Sequence, residues 1–126
     1  MSSQKSSPLN ILVTGGAGFI GSELVRLLGE KKHRVTVVDN LVNGSRENLA
    51  DIPGDQVSLE ECDIRDRDRM EELLTGVDLV FHLACLGVRH SIHSPVENHE
   101  VNATATLSLL GLSKSANVKR FVYVSS

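Results

Sequence analysis

The sequence predicts an α/β fold, a doubly wound parallel sheet truncated after about five strands. Three observations predict it. Short, branched apolar runs alternate with amphipathic helical segments along the chain, and such alternation implies parallel strands joined by right-handed crossovers. A glycine cluster, Thr14-Gly15-Gly16-Ala17-Gly18-Phe19-Ile20-Gly21, joins the first apolar run to the first helical one. An acid, Asp39, ends the second apolar run at about the 20-residue distance at which a nucleotide ribose would find it.

The elements follow in order. The first strand covers Ile11 to Thr14, and a helix runs from about Phe19 to Lys31 with Leu24, Leu27 and Leu28 at helical spacing. Strand two is Arg34 to Asp39. A loop, Asn40 to Arg46, carries the turn signal Asn43-Gly44-Ser45, and a weak helical segment follows at Glu47 to Ala50. Pro53-Gly54-Asp55 breaks the chain before strand three, Val57 to Cys62. A charged helix from about Asp66 to Leu74 packs through Met70, Leu73 and Leu74 and is closed by Gly76. Strand four is Asp78 to Ala84, with Leu79-Val80-Phe81 read as buried on both faces. A loop, Cys85 to Ser94, leads to a Ser94-Pro95 helix start. The longest helix spans about Val96 to Ser115, and strand five is Arg120 to Ser125.

Composition narrows the function classes. The chain has 126 residues, 40% hydrophobic and 23% charged, enough for one folded domain over residues 9–126 after a flexible lead at residues 1–8. A net charge of −3 without a basic run argues against nucleic acid as a partner. No apolar stretch approaches the roughly 18 residues of a membrane span, and the Ser-rich start has no signal-type apolar core. Cys62 and Cys85 sit near strand ends and read as small hydrophobes, which predicts a reducing, cytoplasmic setting. His90 and His93 lack a third ligand, so no metal is expected and both read as solvated loop histidines.

The glycine cluster carries the chemistry. A strand must turn sharply into a helix there, and the backbone must come close to a pyrophosphate lying on the free N–H groups of the helix. Gly16, Gly18 and Gly21 fit one dinucleotide spacing, and Gly15, Gly18 and Gly21 fit a related one. Ligands of such sheets bind beyond the carboxyl ends of the strands, which selects Gly15, Asp39, Asp63, Ala84 and Ser125.

Taken together, these segments resemble the N-terminal part of an extended short-chain dehydrogenase/reductase with a Rossmann-type sheet, of the NAD-dependent epimerase/dehydratase type that acts on nucleotide sugars. The residues that carry the resemblance are Thr14 to Gly21, Val38-Asp39-Asn40-Leu41 with Asn43-Gly44, Asp63-Ile64-Arg65-Asp66, Phe81-His82-Leu83-Ala84, Val101-Asn102 and Phe121-Val122-Tyr123-Val124-Ser125-Ser126. They cover nearly all of the chain after Pro8.

The resemblance implies NAD as cofactor, held by Gly15, Gly18, Phe19 and Ile20 at the pyrophosphate, with Asp39 at the adenosine ribose and Asn40, Asn43 and Gly44 lining that pocket. An acid at position 39 repels a 2′-phosphate, so NAD is expected over NADP, with Arg46 the residue that leaves NADP open. Asp63 and Ile64 would flank the adenine; the bland reading of Asp63 is a cap for the next helix. Leu83, Ala84 and Cys85 would run beneath the nicotinamide ribose. Asn102 would support the active-site loops, a solvated helix asparagine being the alternative. Ser126 would hydrogen-bond the reacting sugar hydroxyl, with Ser125 as the alternative nearer the nicotinamide. Arg89 would contact the substrate.

The resemblance also implies a Tyr-x-x-x-Lys acid/base pair on a helix after strand five, which this sequence does not contain. Its single tyrosine, Tyr123, lies inside strand five and is read as core. The expectation is therefore the NAD-binding portion of a nucleotide-sugar 4-epimerase, inactive as the chain stands. A nucleotide-sugar decarboxylase or 4,6-dehydratase of the same family is the alternative, and a non-catalytic dinucleotide-binding module is the alternative from another class. The apolar positions Leu107, Leu110 and Gly111 fit either a homodimer through the 96–115 helix or a core contact.

Overall fold

The computed structural model describes residues 8–42, 44–52, 54–83 and 100–124. Five strands, β1 (Asn10–Thr14), β2 (Arg34–Asp39), β3 (Val57–Glu61), β4 (Leu79–His82) and β5 (Arg120–Tyr123), alternate with helices α1 (Phe19–Glu30), α2 (Arg67–Leu74) and α3 (Thr106–Ser115). All strand pairs are parallel, in the order β3-β2-β1-β4-β5. The chain steps outward from β1 to β3, then returns to β4 on the other side of β1. The order therefore reverses between β1 and β4, and sheets of this kind bind ligands in the crevice beyond the carboxyl ends at such a reversal.

The middle of β1, Ile11 to Val13, is apolar because helices cover both of its faces. Leu12 joins Val38, Val80, Met70, Leu74, Leu109 and Leu112 on the α2 and α3 side. Ile11 and Val13 join Val25, Leu28, Val35 and Val37 on the α1 side. Both ends of α2 are closed locally. The Asp66 carboxylate accepts from Arg69 N at 3.2 Å to start α2, and Gly76 follows α2 at φ 80°, the left-handed position expected of it.

Several expectations are corrected. In α1 the buried positions are Gly21, Ser22, Val25 and Leu28, while Leu27 is 51% exposed. Leu28 is buried and Leu24 packs against the core as the spacing predicts, so of the three leucines Leu27 alone turns outward. In the described part of the long helix, a wide π-type turn at Glu100–Ala105 precedes α3; residues 96–99 lie outside the described residues. Helix α3 packs through Leu109 and Leu112, and Leu107, Leu110 and Gly111 face outward, so a core contact does not account for them. Tyr123 is not core: it is about half-exposed on β5. In β4 only Val80 is deeply buried among the apolar residues; Leu79 and Phe81 are half-buried and pack at the margin of the core that holds Val25 and Leu28 of α1.

Candidate functional site

The glycines at the end of β1 answer to different demands. Gly15 has φ 73°, a left-handed backbone that most side chains resist, and its N–H donates to Val38 O at 2.8 Å. A Cβ on Gly21 would lie 2.2 Å from Gly15 O, so only glycine lets the helix close on the loop. A Cβ on Gly16 would meet Val37 Cγ1 at 2.7 Å. Gly18 differs. It is the N-cap of α1 with ordinary extended backbone, and a Cβ there would touch only Gly15 O at 3.4 Å. No described neighbour forbids a side chain at Gly18, and glycine is itself a favoured residue at an N-cap, where the backbone is extended.

The helix start beside Gly18 is electrostatically open. No side chain caps it, and its first turn carries no acidic residue. The N–H groups of Phe19 and Ile20 have no acceptor among the described residues, and their side chains project into solvent at 85% and 71% exposure. Such an end attracts an anion, worth about 0.3–1 kcal/mol when exposed and up to about 2 kcal/mol when partly buried.

Asp39 sits at the carboxyl end of β2, 8% exposed. Its Oδ2 accepts from Ala17 N at 3.0 Å and its Oδ1 from Leu41 N at 2.7 Å. The Ala17 carbonyl in turn accepts from Ser45 N at 3.0 Å and from Asn48 Nδ2 at 2.7 Å. The glycine loop and the segment after β2 are thus tied through one residue. Gly44 belongs to this seam: a Cβ there would lie 2.9 Å from the Ala17 carbonyl and from Asp39 Oδ2, a packing reason for glycine that holds without a ligand. Sequence reasoning missed Asn48, because a contact spanning 31 positions leaves no local pattern. A carboxylate has about four lone-pair sites, so Asp39 retains acceptor capacity for hydroxyl donors.

Asn40 is exposed, and its Oδ1 accepts from Val42 N at 3.1 Å. Its side chain also hydrogen-bonds Asp63, whose carboxyl is held below its usual range chiefly by Arg65. Arg65 Nε and Nη2 reach the two Asp63 oxygens at 3.0 and 2.7 Å. The cap of α2 is Asp66, so the capping role considered for Asp63 is corrected. The Ile64 side chain is 7% exposed and packs in the core with Met70 and Leu74, leaving only its backbone for a base. Arg46, the residue that left NADP open, pairs with Glu61 at 2.6 Å. Cys62 is a free, half-buried thiol beside Met70, and burial pushes its pKa up, as suits a small hydrophobe.

On the far side of the crevice, the backbone N–H of Leu83 donates to Thr14 O at 3.1 Å and Thr14 Oγ1 at 3.0 Å. Thr14 Oγ1 is 2.6 Å from His82 Nδ1, and His82 Nε2 is 2.8 Å from Thr106 Oγ1. The imidazole is fully buried, and desolvation pushes its pKa down to about 4. This polar triad was not among the sequence candidates. Asn43, Ala84, Cys85, Arg89, His90, His93, Ser94, Pro95, Ser125 and Ser126 lie outside the described residues, and so does the Asn102 side chain, whose backbone belongs to the wide turn before α3. Among the described residues no cluster of metal-ligating side chains occurs, and no helix is long and apolar enough to cross a membrane.

A dinucleotide fits these residues. The uncapped helix start at Gly18, with no acid in its first turn, and the remaining acceptor capacity of Asp39 lie at the carboxyl ends of β1 and β2, where an anion and a hydroxyl donor would each find a partner.

Comparison with known proteins agrees with that geometry. A UDP-glucose 4-epimerase of Klebsiella pneumoniae is 38% identical over 124 residues, which is 94% of this chain and 89% of that protein. UDP-glucuronic acid decarboxylase 1 of Arabidopsis thaliana is 38% identical over 94% of this chain and 26% of its own length. The solved UDP-glucose-4-epimerase from Stenotrophomonas maltophila, with bound NAD and formylated UDP-arabinopyranose, superposes with a TM-score of 0.85 at 36% identity, covering 94% of this chain and 37% of that one. The chain thus spans most of the Klebsiella relative and about a third or less of the other two. The model of the NAD dependent epimerase/dehydratase family matches residues 11–126, and the chain belongs to that family.

Proposed function

We propose that this chain binds NAD as the nucleotide-binding portion of a nucleotide-sugar 4-epimerase. The observation that carries the reading is the uncapped start of α1 at Gly18, where the Phe19 and Ile20 N–H groups have no acceptor among the described residues and the first turn holds no acid. The N–H groups of Phe19 and Ile20 receive the pyrophosphate, and Asp39 accepts from the adenosine ribose while holding Ala17 in place. Asn40, Asn43 and Gly44 border the ribose, and Asp63 with the Ile64 backbone borders the adenine. Leu83, Ala84, Cys85 and Ser125 lie toward the nicotinamide, supported by Asn102. Bound there, NAD supplies a reversible hydride acceptor for a sugar carbon. Ser126 holds the reacting sugar hydroxyl, and Arg89 contacts the nucleotide-sugar phosphates.

The Glu61–Arg46 pair supports NAD over NADP, because the guanidinium that would meet a 2′-phosphate is already engaged by a carboxylate. The outward Leu107 and Leu110, 70% and 46% exposed, support a homodimer through the 96–115 helix. The free Cys62 thiol supports a cytoplasmic setting. Decarboxylation or 4,6-dehydration of a nucleotide sugar is the second reading, favoured by the plant decarboxylase at the same identity as the bacterial epimerase.

Two measurements test this. In calorimetric titration, the chain takes up NAD more tightly than NADP, and Gly18→Ala weakens NAD at least tenfold, with an unfolding cost of about 0.5–2 kcal/mol from the poorer N-cap. Equal NAD affinity of the two proteins would remove the observation on which the reading stands. In the full-length protein, UDP-glucose equilibrates with UDP-galactose; release of CO2 or of a 4-keto-6-deoxy sugar instead selects the second reading.

A further inference from the structure

We propose that His82 is a positioning residue that fixes the geometry of the crevice between β1 and β4. The inference rests on the reading of that crevice as the NAD site. His82 is the last residue of β4. It pairs in register with Thr14, the last residue of β1, on one side and with Tyr123, the last residue of β5, on the other. It therefore stands where the strand order reverses, at the carboxyl edge where the ligand lies.

The imidazole bridges the end of β1 and the start of α3 and stacks on the end of β5, while Thr14 and the His82 backbone extend the link to Leu83 and Val124. Nδ1 engages Thr14 Oγ1 at 2.6 Å, and Thr14 immediately precedes Gly15, the left-handed residue that starts the glycine loop. The same Thr14 oxygen accepts from Leu83 N at 3.0 Å, the first step of the segment assigned to the nicotinamide ribose. Nε2 engages Thr106 Oγ1 at 2.8 Å, where the wide turn that contains Asn102 gives way to α3. The ring stacks on Tyr123 at a centroid distance of 5.4 Å, and the His82 carbonyl accepts from Val124 N at 3.1 Å, just before Ser125 and Ser126.

Packing alone does not ask for a histidine here. The ring is 0% exposed beside Phe121, and the core on that side of the sheet is otherwise aliphatic apart from Met70. A buried polar ring is costly unless both nitrogens are partnered, and an apolar residue of similar volume would avoid that cost. What two hydrogen bonds in fixed directions supply, and an apolar ring cannot, is a set register between β1, β4 and the start of α3. A shift of the glycine loop or of Leu83 by a fraction of an ångström would then be opposed at a single point.

The test uses three substitutions in the full chain. His82→Phe keeps the ring and its stacking and removes both hydrogen bonds. His82→Asn places an amide atom where Nδ1 was and keeps the Thr14 link; His82→Gln reaches toward Thr106 instead. The first readout needs no cofactor: amide hydrogen exchange at Gly15 and Leu83, followed by NMR. His82→Phe should speed exchange at both amides at least tenfold more than at Val37 or Val80. His82→Asn should return them to within about threefold of the starting protein, and His82→Gln should not. The second readout is NAD affinity, which should follow the same order. Exchange that rises uniformly over the sheet, or that Asn and Gln restore equally, would mean that His82 only stabilises the fold and would overturn the proposal. If the unaltered chain fails to bind NAD, the cofactor reading falls on its own, and the exchange result still decides the role of His82.

Discussion

Acidification should destabilise this protein through one side chain, and the size of the effect follows from its burial. His82 holds its pKa at about 4 in the folded chain, against 6.5 for an ordinary histidine, because desolvation penalises the imidazolium. The unfolded chain therefore takes up this proton first as pH falls. Stability from the neutral ring is complete above about pH 6.5 and is lost as pH drops toward about 4. The two protonation equilibria together give a loss of about 2 kcal/mol between pH 7.5 and about pH 5. Urea denaturation at the two pH values measures it, with His82→Asn as the reference because asparagine keeps one hydrogen bond and does not titrate. The other titrating groups are common to both proteins and cancel in the difference. The unaltered chain should lose about 2 kcal/mol more than the variant over this interval. Equal losses would show that the ring is not held neutral by burial, and the reasoning would fail.

Two further substitutions probe the glycine loop. Gly21→Ala should cost about 3 kcal/mol or more in denaturant midpoint experiments despite the better helix propensity of alanine, because its Cβ would fall 2.2 Å from a backbone oxygen that cannot step aside; a neutral result would mean that the loop is not packed against α1 as described. Asp39→Asn should cost about 1–3 kcal/mol and weaken NAD, since an amide can serve only one of the Ala17 and Leu41 N–H groups as acceptor; calorimetry and denaturation on the same sample separate the two effects, and unchanged stability would sink the seam described between the loops.

The parts of the fold legible in the sequence were those with a short period. Branched runs such as Ile11-Leu12-Val13, the glycine turn and the acid at Asp39 are local signals, and each reports a backbone demand within a few residues. The roles that escaped were carried by contacts without period. Asn48 closes on Ala17 across 31 positions, and Thr106 meets His82 across 24. Neither residue stands out by type. Orientation escaped as well: the apolar positions of α3 show a stripe, but whether Leu107 and Leu110 or Leu109 and Leu112 face the sheet is decided by the wide turn before the helix, which propensity does not reveal. Gly44 was legible as a site residue and its reason was not, since the clash that excludes a side chain lies with Ala17 and Asp39.

The grip on Ala17 has a thermodynamic consequence. Its N–H is held by Asp39 and its carbonyl by Ser45 and Asn48. The glycine loop and the segment after β2 are therefore one body, ordered when the chain folds rather than when a ligand arrives. The conformational entropy of shaping the site is charged to folding, and a dinucleotide meets a cavity that has little freedom left to lose. Binding should then proceed with a small entropic penalty from the protein, and a loosened Ala17 should reduce affinity for the nucleotide at both of its ends together.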